Sequence, residues 1–116
     1  MNALAPGLVV WVTLDPTVGR EQAGRRPAVV VSSEDYLKAV PELVIIVPAT
    51  TTNRNWPQHV QLAGAQLELP QTSYAMTEQP RTISRRRIAA TAGTVDEQCL
   101  REIRMWIDDF LVTRRR

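Results

Sequence analysis

Leu43-Val44-Ile45-Ile46-Val47 is the stretch that decides the fold, because every residue in it is apolar. A strand of this kind has no polar side to present to water, so it is expected inside a sheet that is covered on both faces. Just before it, residues 34–40 have room for one short helical turn, which Pro41 would end.

Further strands are expected on either side of this run. Residues 7–14 are rich in Val and stop at Asp15-Pro16, and residues 27–32 begin with a proline, which the first position of a strand tolerates. Residues 58–63 alternate polar and apolar side chains, which predicts a half-exposed strand with His59 on its polar face. Shorter strands are expected at residues 66–69, 74–77 and 88–92.

A helix is expected at the C-terminal end. Thr94 and Glu97 have the spacing of a capping box, in which each side chain satisfies a free backbone N–H of the other residue. An apolar stripe at helical spacing follows, made of Cys99, Leu100, Ile103, Trp106, Ile107, Phe110 and Leu111. The predicted fold class is therefore mainly β, a small β-barrel with a C-terminal helix packed on it.

Length and composition favour one domain over residues 1–116, with 44% apolar and 22% charged residues. The lone Cys99 excludes an internal disulfide, and its place on the apolar stripe predicts a small buried side chain rather than a nucleophile. The first apolar run ends too early for a bilayer span and has no basic start, so neither a signal peptide nor a membrane association is expected. A reducing, cytoplasmic location fits these features.

The basic residues are almost all arginine. The net charge is only +2, but thirteen of the 14 basic residues are Arg, with two triplets at residues 85–87 and 114–116. The planar guanidinium grips phosphate or carboxylate oxygens in pairs, so this bias suits phosphate-bearing partners. Plain solubility explains the same composition equally well.

Several kinds of chemistry are disfavoured by what the sequence lacks. His59 is the only histidine, which excludes a pair of catalytic histidines within one chain. No zinc-protease helix motif, paired aspartates or phosphate-binding loop is present. We therefore predict no metal site and no cofactor.

Two polar loops that adjoin strands carry the candidate functional residues. In the first, residues 19–27, Arg26 precedes a proline and so has an extended backbone that gives its side chain a defined origin. In the second, residues 48–57, Thr50 directly follows the most apolar strand. Trp56 lies in the same loop. It either stacks on a nucleobase of a bound nucleic acid or packs against the barrel. Trp11 and Trp106 are assigned to the core or to a dimer interface.

The chain resembles the MazF/PemK family of toxin endoribonucleases from type II toxin–antitoxin systems. The resemblance rests on Glu21-Gln22-Ala23-Gly24 with Arg26-Pro27, on Val47-Pro48-Ala49-Thr50-Thr51, and on Glu78-Gln79-Pro80-Arg81-Thr82-Ile83, in the family's order. It spans about residues 7–112 and leaves the basic tail, residues 113–116, outside. It implies an SH3-like barrel, a homodimer and metal-independent, sequence-specific cleavage of single-stranded RNA, with Arg26 and Thr50 acting on the scissile phosphate.

The chemistry of RNA agrees with that implication. The ribose 2′-hydroxyl is a built-in nucleophile, so an enzyme can cleave by positioning it and stabilising charge, leaving a 2′,3′-cyclic phosphate and a 5′-hydroxyl. Arg26 suits a phosphate clamp, but a side chain with a pKa above ~12 is a poor general base, and the base is left open. The plainer alternatives are a solvated Arg26, or one paired with Glu21, and a Thr50 that only caps its strand.

Other residues of the three motifs are expected to bind RNA or to support the residues that do. Four of them are expected to hold the two loops in place by hydrogen bonds rather than to contact RNA directly: Glu21, Gln22, Glu78 and Gln79. Arg20 stands where the family often has Ser, so the recognised RNA sequence cannot be transferred. The full supporting set is Arg20, Glu21, Gln22, Arg25, Thr51, Asn53, Arg54, Trp56, Glu78, Gln79, Arg81 and Thr82.

Two other functions remain open at this point. A CcdB-like gyrase poison has the same barrel without the Arg and Thr pair, and a nonenzymatic RNA-binding barrel would use Trp56 and the arginines equally well. For the toxin, the expected partners are single-stranded RNA and a cognate antitoxin whose acidic, partly disordered segment would cover the Arg-rich site.

Overall fold

The most apolar runs form the centre of an antiparallel sheet in the computed structural model, which describes residues 3–14 and 25–112. The strands are β1 (Leu8–Thr13), β2 (Arg25–Val30), β3 (Leu43–Thr50), β4 (His59–Gln61), β5 (Tyr74–Met76), β6 (Arg81–Ser84) and β7 (Ile88–Thr94). Helix α1 spans Glu34–Ala39, and helix α2 spans Glu97–Leu111. The mainly β fold with a terminal helix is therefore confirmed.

The sheet is curled but is not closed by a continuous ladder of strands. Its order is β4-β5-β3-β2-β1-β7, and β6 also pairs with β3. The predicted strand at residues 66–69 is wrong, since only Leu67 forms a bridge, to Gly93 of β7. That bridge brings the connection after β4 against the far edge of the sheet, so the fold approaches a barrel.

Gly93 permits this close approach. Its φ of 87° lies in the left-handed region, and a Cβ at this position would stand 1.9 Å from the Gln66 carbonyl oxygen. Any larger residue at position 93 would push residues 66–68 away from β7.

Both faces of the central strands are buried, as the apolar run in β3 predicts. One face packs against α2, where Cys99 and Ile103 meet Val9, Val29 and Val47. The opposite face packs against Leu37 of α1 and includes Val30 and Ile46. Each such side chain contributes roughly 1.5–3 kcal/mol by leaving water, which makes these strands a stable support for residues at their ends.

The terminal helix differs from the prediction at both ends. Asp96, not Thr94, is the N-cap, and its carboxylate accepts a hydrogen bond from the Cys99 N–H at 2.8 Å. Thr94 is the last residue of β7, so sheet pairing overrides the capping-box pattern. The apolar stripe is covered up to Ile107, whereas Phe110 and Leu111 are 49% and 74% exposed.

Candidate functional site

A groove opens where β2 begins and β3 ends. Its volume is about 590 Å³, within the range of about 300–1,000 Å³ that is usual for ligand sites. Described residues from four segments line it: Trp11; Arg25, Arg26 and Pro27; Ala49, Thr50, Thr51 and Thr52; and Leu69, Pro70, Gln71 and Ser73.

The pairing of β2 with β3 brings Arg26 and Thr50 together in this groove. The two strands are antiparallel, with Ala28 opposite Pro48. Beyond that pair, Arg26 pairs with Val12 of β1 and Thr50 with Tyr74 of β5. Arg26 and Thr50 both line the groove, so a guanidinium and a hydroxyl from two neighbouring strands reach one place.

The charge of the groove is positive. Arg25 and Arg26 are both exposed, and neither has a hydrogen-bonding or ion-pair partner within residues 3–14 and 25–112. No described carboxylate is among the lining residues. Two guanidinium groups without a partner among the described residues, beside several hydroxyls, form a site that suits an anion with several oxygens, such as a phosphodiester.

The Thr50 hydroxyl is held so that it can donate. Its Oγ1 accepts a hydrogen bond from the backbone N–H of Thr52 at 3.1 Å. A hydroxyl has one proton to donate and room for a second acceptor contact, so this bond fixes the oxygen and leaves the O–H free for a ligand oxygen.

The loop beyond Thr50 is ordered by its own side chains. Asn53 Oδ1 accepts from the Asn55 N–H at 2.9 Å, and Asn55 has a φ of 57°, a left-handed conformation that Asn adopts more readily than most residues. The Arg54 guanidinium lies 5.5 Å from the centroid of the Trp56 ring. None of residues 53–56 is among the residues that line the groove, whose lining in this loop ends at Thr52.

A second group of polar residues, here called the His59 cluster, consists of His59, Glu78, Gln79 and Trp56. His59 Nε2 and Glu78 Oε2 are 3.0 Å apart, and Gln79 Nε2 donates to the same oxygen at 3.4 Å. The backbone N–H of His59 donates a hydrogen bond to the backbone carbonyl of Trp56, and the Trp56 and His59 ring centroids are 4.9 Å apart. Because an ionised Glu78 can only accept, the proton of the shared hydrogen bond is assigned to Nε2.

The prediction that His59 is a polar face residue is half right. Its neighbour Val60 packs in the core, so His59 does lie on the outer face of β4. However, the His59 side chain is only 2% exposed, and Nδ1 is buried without a partner among the described residues. The turn from Trp56 to His59 covers the ring, which strand alternation alone does not reveal.

The ionisation of Glu78 reflects these contacts. Partial burial raises the pKa of this carboxyl, but the hydrogen bond and charge of His59, together with donors from the Glu78 backbone and Gln79, outweigh burial and lower the pKa. Glu78 is therefore an ionised anchor at neutral pH.

The structure divides the residues singled out from the sequence into three groups. Arg25, Arg26, Thr50 and Thr51 line the groove. The remaining candidates in the described part of the chain are Asn53, Arg54, Trp56, Glu78, Gln79, Arg81 and Thr82, and the groove lining contains none of them. Arg20, Glu21 and Gln22 lie outside the described residues.

Arg81 and Thr82 belong to β6, where they pair with Ile46 and Ile45 of β3. The segment 69–73 was not predicted as part of the site. Its run of Pro, Gln, Thr and Ser signalled a polar loop, but only its return toward β3 places it at the groove.

The arginine triplet at residues 85–87 is largely structural. Arg85 Nη2 donates to the carbonyl oxygens of Leu37 at 2.5 Å and Val40 at 3.1 Å, which satisfies the end of α1. Arg87 Nη1 donates to the Thr13 carbonyl at 3.1 Å. Backbone carbonyls, rather than a phosphate or carboxylate group, thus accept these hydrogen bonds of Arg85 and Arg87. The other triplet, residues 114–116, lies outside the described residues.

The described residues contain no cluster of three or more His, Cys, Asp or Glu side chains that is placed to hold a metal ion. Neither helix in the described part of the chain has the length and apolar character of a membrane span. Cys99 is buried, and burial raises the pKa of its thiol, to which the Asp96 and Glu102 charges also contribute.

Comparison with known proteins places this geometry in a family. The family described as PemK-like, MazF-like toxin of type II toxin–antitoxin systems matches residues 5–111. The endoribonuclease toxin MazF of Escherichia coli K12 is 37% identical over 103 residues, which cover 88% of each chain. The crystal structure of MazF from Deinococcus radiodurans superposes with a TM-score of 0.77 at 27% identity, covering 96% of this chain and 98% of that chain. A MazE–MazF structure from the same organism gives a TM-score of 0.76 at 26% identity, covering 96% and 97%. The chain therefore belongs to the PemK-like, MazF-like family of toxins from type II toxin–antitoxin systems.

Proposed function

We propose that this toxin is a sequence-specific endoribonuclease that cleaves single-stranded RNA in the cytoplasm without a metal ion. The observation that carries the proposal is the shared groove of Arg26 and Thr50, in which neither side chain donates a hydrogen bond to a residue of the described ranges 3–14 and 25–112. The names of the curated relatives support the same activity, since the E. coli proteins are endoribonucleases.

The reaction begins with the RNA's own 2′-hydroxyl. Its oxygen attacks the adjoining phosphorus, the P–O5′ bond breaks, and the products are a 2′,3′-cyclic phosphate and a 5′-hydroxyl. The 2′ proton is lost to a base, and the departing O5′ gains a proton, so the step balances without a metal or a redox partner. Holding the 2′-oxygen in line with the departing O5′ provides much of the rate enhancement.

Arg26 and Thr50 are assigned to the charge that develops on the phosphate. The Arg26 guanidinium donates to two phosphate oxygens at once, and the Thr50 O–H donates to one of them. A preorganised donor is worth about 100- to 1,000-fold in rate when it meets charge that develops in the transition state. Arg25 adds positive potential for binding the RNA backbone. We assign the general base to no residue of the described groove.

Two protein partners are part of the proposal. A MazE–MazF structure among the neighbours supports a cognate antitoxin, whose acidic segment would neutralise Arg25 and Arg26 and block the groove. Homodimerisation is supported by the apolar end of α2, where Met105 is 56% exposed and Leu111 74% exposed.

The test is cleavage of RNA by the purified protein in excess EDTA, with both product ends mapped. The proposal requires 5′-hydroxyl ends that a kinase labels directly and 2′,3′-cyclic phosphate ends. The double variant Arg26→Ala/Thr50→Ala, purified in the same way, is the control for contaminating nucleases and should not cleave.

Binding of RNA without cleavage by the wild-type chain would contradict the enzyme and favour an RNA-binding barrel. Inhibition of gyrase supercoiling without RNA cleavage would favour the CcdB-like alternative.

A further inference from the structure

We propose that the Trp11 side of the groove is a nucleobase subsite, which takes the base of a nucleotide next to the scissile phosphate. The base would stack on the Trp11 indole, and the Gln71 carboxamide would hydrogen-bond to its edge. This inference rests on the proposed cleavage of RNA and adds to it a place where the sequence is recognised.

Trp11 lies beside the phosphate-binding pair in the sheet. Its partner in β2 is Pro27, the residue after Arg26. Ala49, the residue before Thr50, lines the same groove. Successive side chains of a strand point to opposite faces of the sheet, so Trp11 packs on the α2 face, whereas Val12, the partner of Arg26, packs on the α1 face. Trp11, Arg26 and Thr50 nevertheless line one groove, so a nucleotide whose phosphate meets Arg26 can place its base against Trp11.

The surface around Trp11 has the chemistry of a site that binds a nucleobase. Trp11 packs against the core on one side and lines the groove on the other, so its ring is held in place. Pro27, Leu69 and Pro70 add apolar surface around it. The indole N–H has no acceptor within residues 3–14 and 25–112. A fixed, partly exposed aromatic ring beside guanidinium groups is the arrangement that binds unpaired bases.

Residues 71–73, at the edge of this surface, are polar, and their backbone is also held in place. Ser73 Oγ donates to the Gln71 carbonyl at 3.1 Å, and the Ser73 carbonyl accepts from the Leu62 N–H at 2.9 Å. These bonds fix the backbone of residues 71–73, while the Gln71 carboxamide has no partner in the described part of the chain. An amide both donates and accepts, so it can distinguish the edges of different bases.

Trp56, the aromatic residue predicted from sequence to stack on RNA, is less suited to this role. It is 47% exposed, but its ring already meets Arg54 and His59 and does not line the groove. Trp56→Leu therefore serves as the matched control for Trp11→Leu.

The experiment uses short RNA oligonucleotides that contain a mapped cleavage site, with an abasic nucleotide placed in turn at each position around the scissile bond. In the wild-type protein, one adjoining position should lose about 10- to 100-fold in kcat/KM when its base is removed. In Trp11→Leu the intact RNA should lose a similar factor, and removing that base should then have little further effect. Gln71→Ala should change the preferred base at the same position.

The outcomes separate this proposal from the proposed function. If the wild-type chain cleaves and Trp56→Leu shows the position-specific loss instead, or if Trp11→Leu and Gln71→Ala keep the wild-type base profile, the subsite is wrong while the nuclease stands. If the wild-type chain does not cleave RNA, the proposed function itself fails. Trp11→Phe, which retains a stacking ring, should restore most of the base dependence, and a merely structural role for Trp11 would not produce that pattern.

Discussion

The groove and the His59 cluster both collect polar residues from the family motifs, but they use them in opposite ways. In the groove, Arg26 has no described partner and Thr50 keeps a free O–H. In the cluster, His59 is buried and hydrogen-bonded to Glu78. Unpaired donors in an open groove are available to a ligand, whereas paired ones in a covered site stabilise the fold. The motif residues therefore divide between an open groove and a covered, internally hydrogen-bonded cluster, a division that the sequence alone does not reveal.

The largest effect is expected at the groove. Arg26→Ala should lower kcat/KM by about 100- to 1,000-fold, because it removes a preorganised donor to the transition state. The melting temperature should stay close to that of the wild type, since the guanidinium makes no hydrogen bond or ion pair with a described residue. Arg86→Ala is the matched control, because Arg86 is also exposed but is not among the residues that line the groove. Equal losses in the two variants would mean that general charge, not the groove, drives the reaction.

The His59 cluster should respond in stability. His59→Ala removes a buried ring and the shorter of the two side-chain hydrogen bonds to Glu78, so the free energy of unfolding should fall by about 1–3 kcal/mol. Urea unfolding measures this loss. Gln61→Ala is the control, because Gln61 lies on the same face of the same strand but is exposed, and it should change stability by no more than about 0.5 kcal/mol. If His59→Ala were as stable as Gln61→Ala, the cluster would not be structural.

The fold was more predictable than the site, for reasons that particular residues make clear. The apolar run of β3 predicts a doubly covered strand, and both faces are indeed covered. Arg26 and Thr50 adjoin predicted strands, so their positions followed from local pattern and from the resemblance. Burial of His59 under Trp56 depends on a loop that returns over its own strand. Capture of Arg85 by α1 carbonyls joins residues 48 positions apart in the sequence. Neither contact leaves a periodic signal.

The pH dependence of stability sharpens the comparison further. Because the folded-state pKa of Glu78 is lowered, its contribution to stability is present above the ordinary glutamate pKa and is lost as the pH falls through the folded value. Glu78→Gln should therefore weaken the loss of stability between about pH 6 and about pH 3. Urea unfolding across that range measures the effect, which should be modest because Glu78 is 29% exposed at its side chain. Glu42→Gln, at an exposed carboxylate outside the cluster, is the matched substitution. If the unfolding free energy of Glu78→Gln depended on pH in the same way as that of the wild type, the hydrogen bond between His59 and Glu78 would be contradicted.

The smallest effect concerns Cys99, which belongs to neither region. Its burial and raised thiol pKa predict that the thiol reacts with disulfide reagents more slowly in the native protein than in urea. The chain has one cysteine, so the absorbance change reports this site alone. Rapid native reaction, or loss of RNA cleavage in Cys99→Ala at unchanged stability, would reopen a catalytic role for the thiol.

The most direct measurement is a crystal structure with an RNA whose scissile nucleotide carries a 2′-O-methyl group, which blocks attack. Arg26 and Thr50 should both lie within hydrogen-bond distance of oxygens on the same phosphate, with the methylated nucleotide on its 5′ side. A phosphate bound to only one of these side chains, or RNA bound over the His59 cluster with the groove unoccupied, would contradict the assignment.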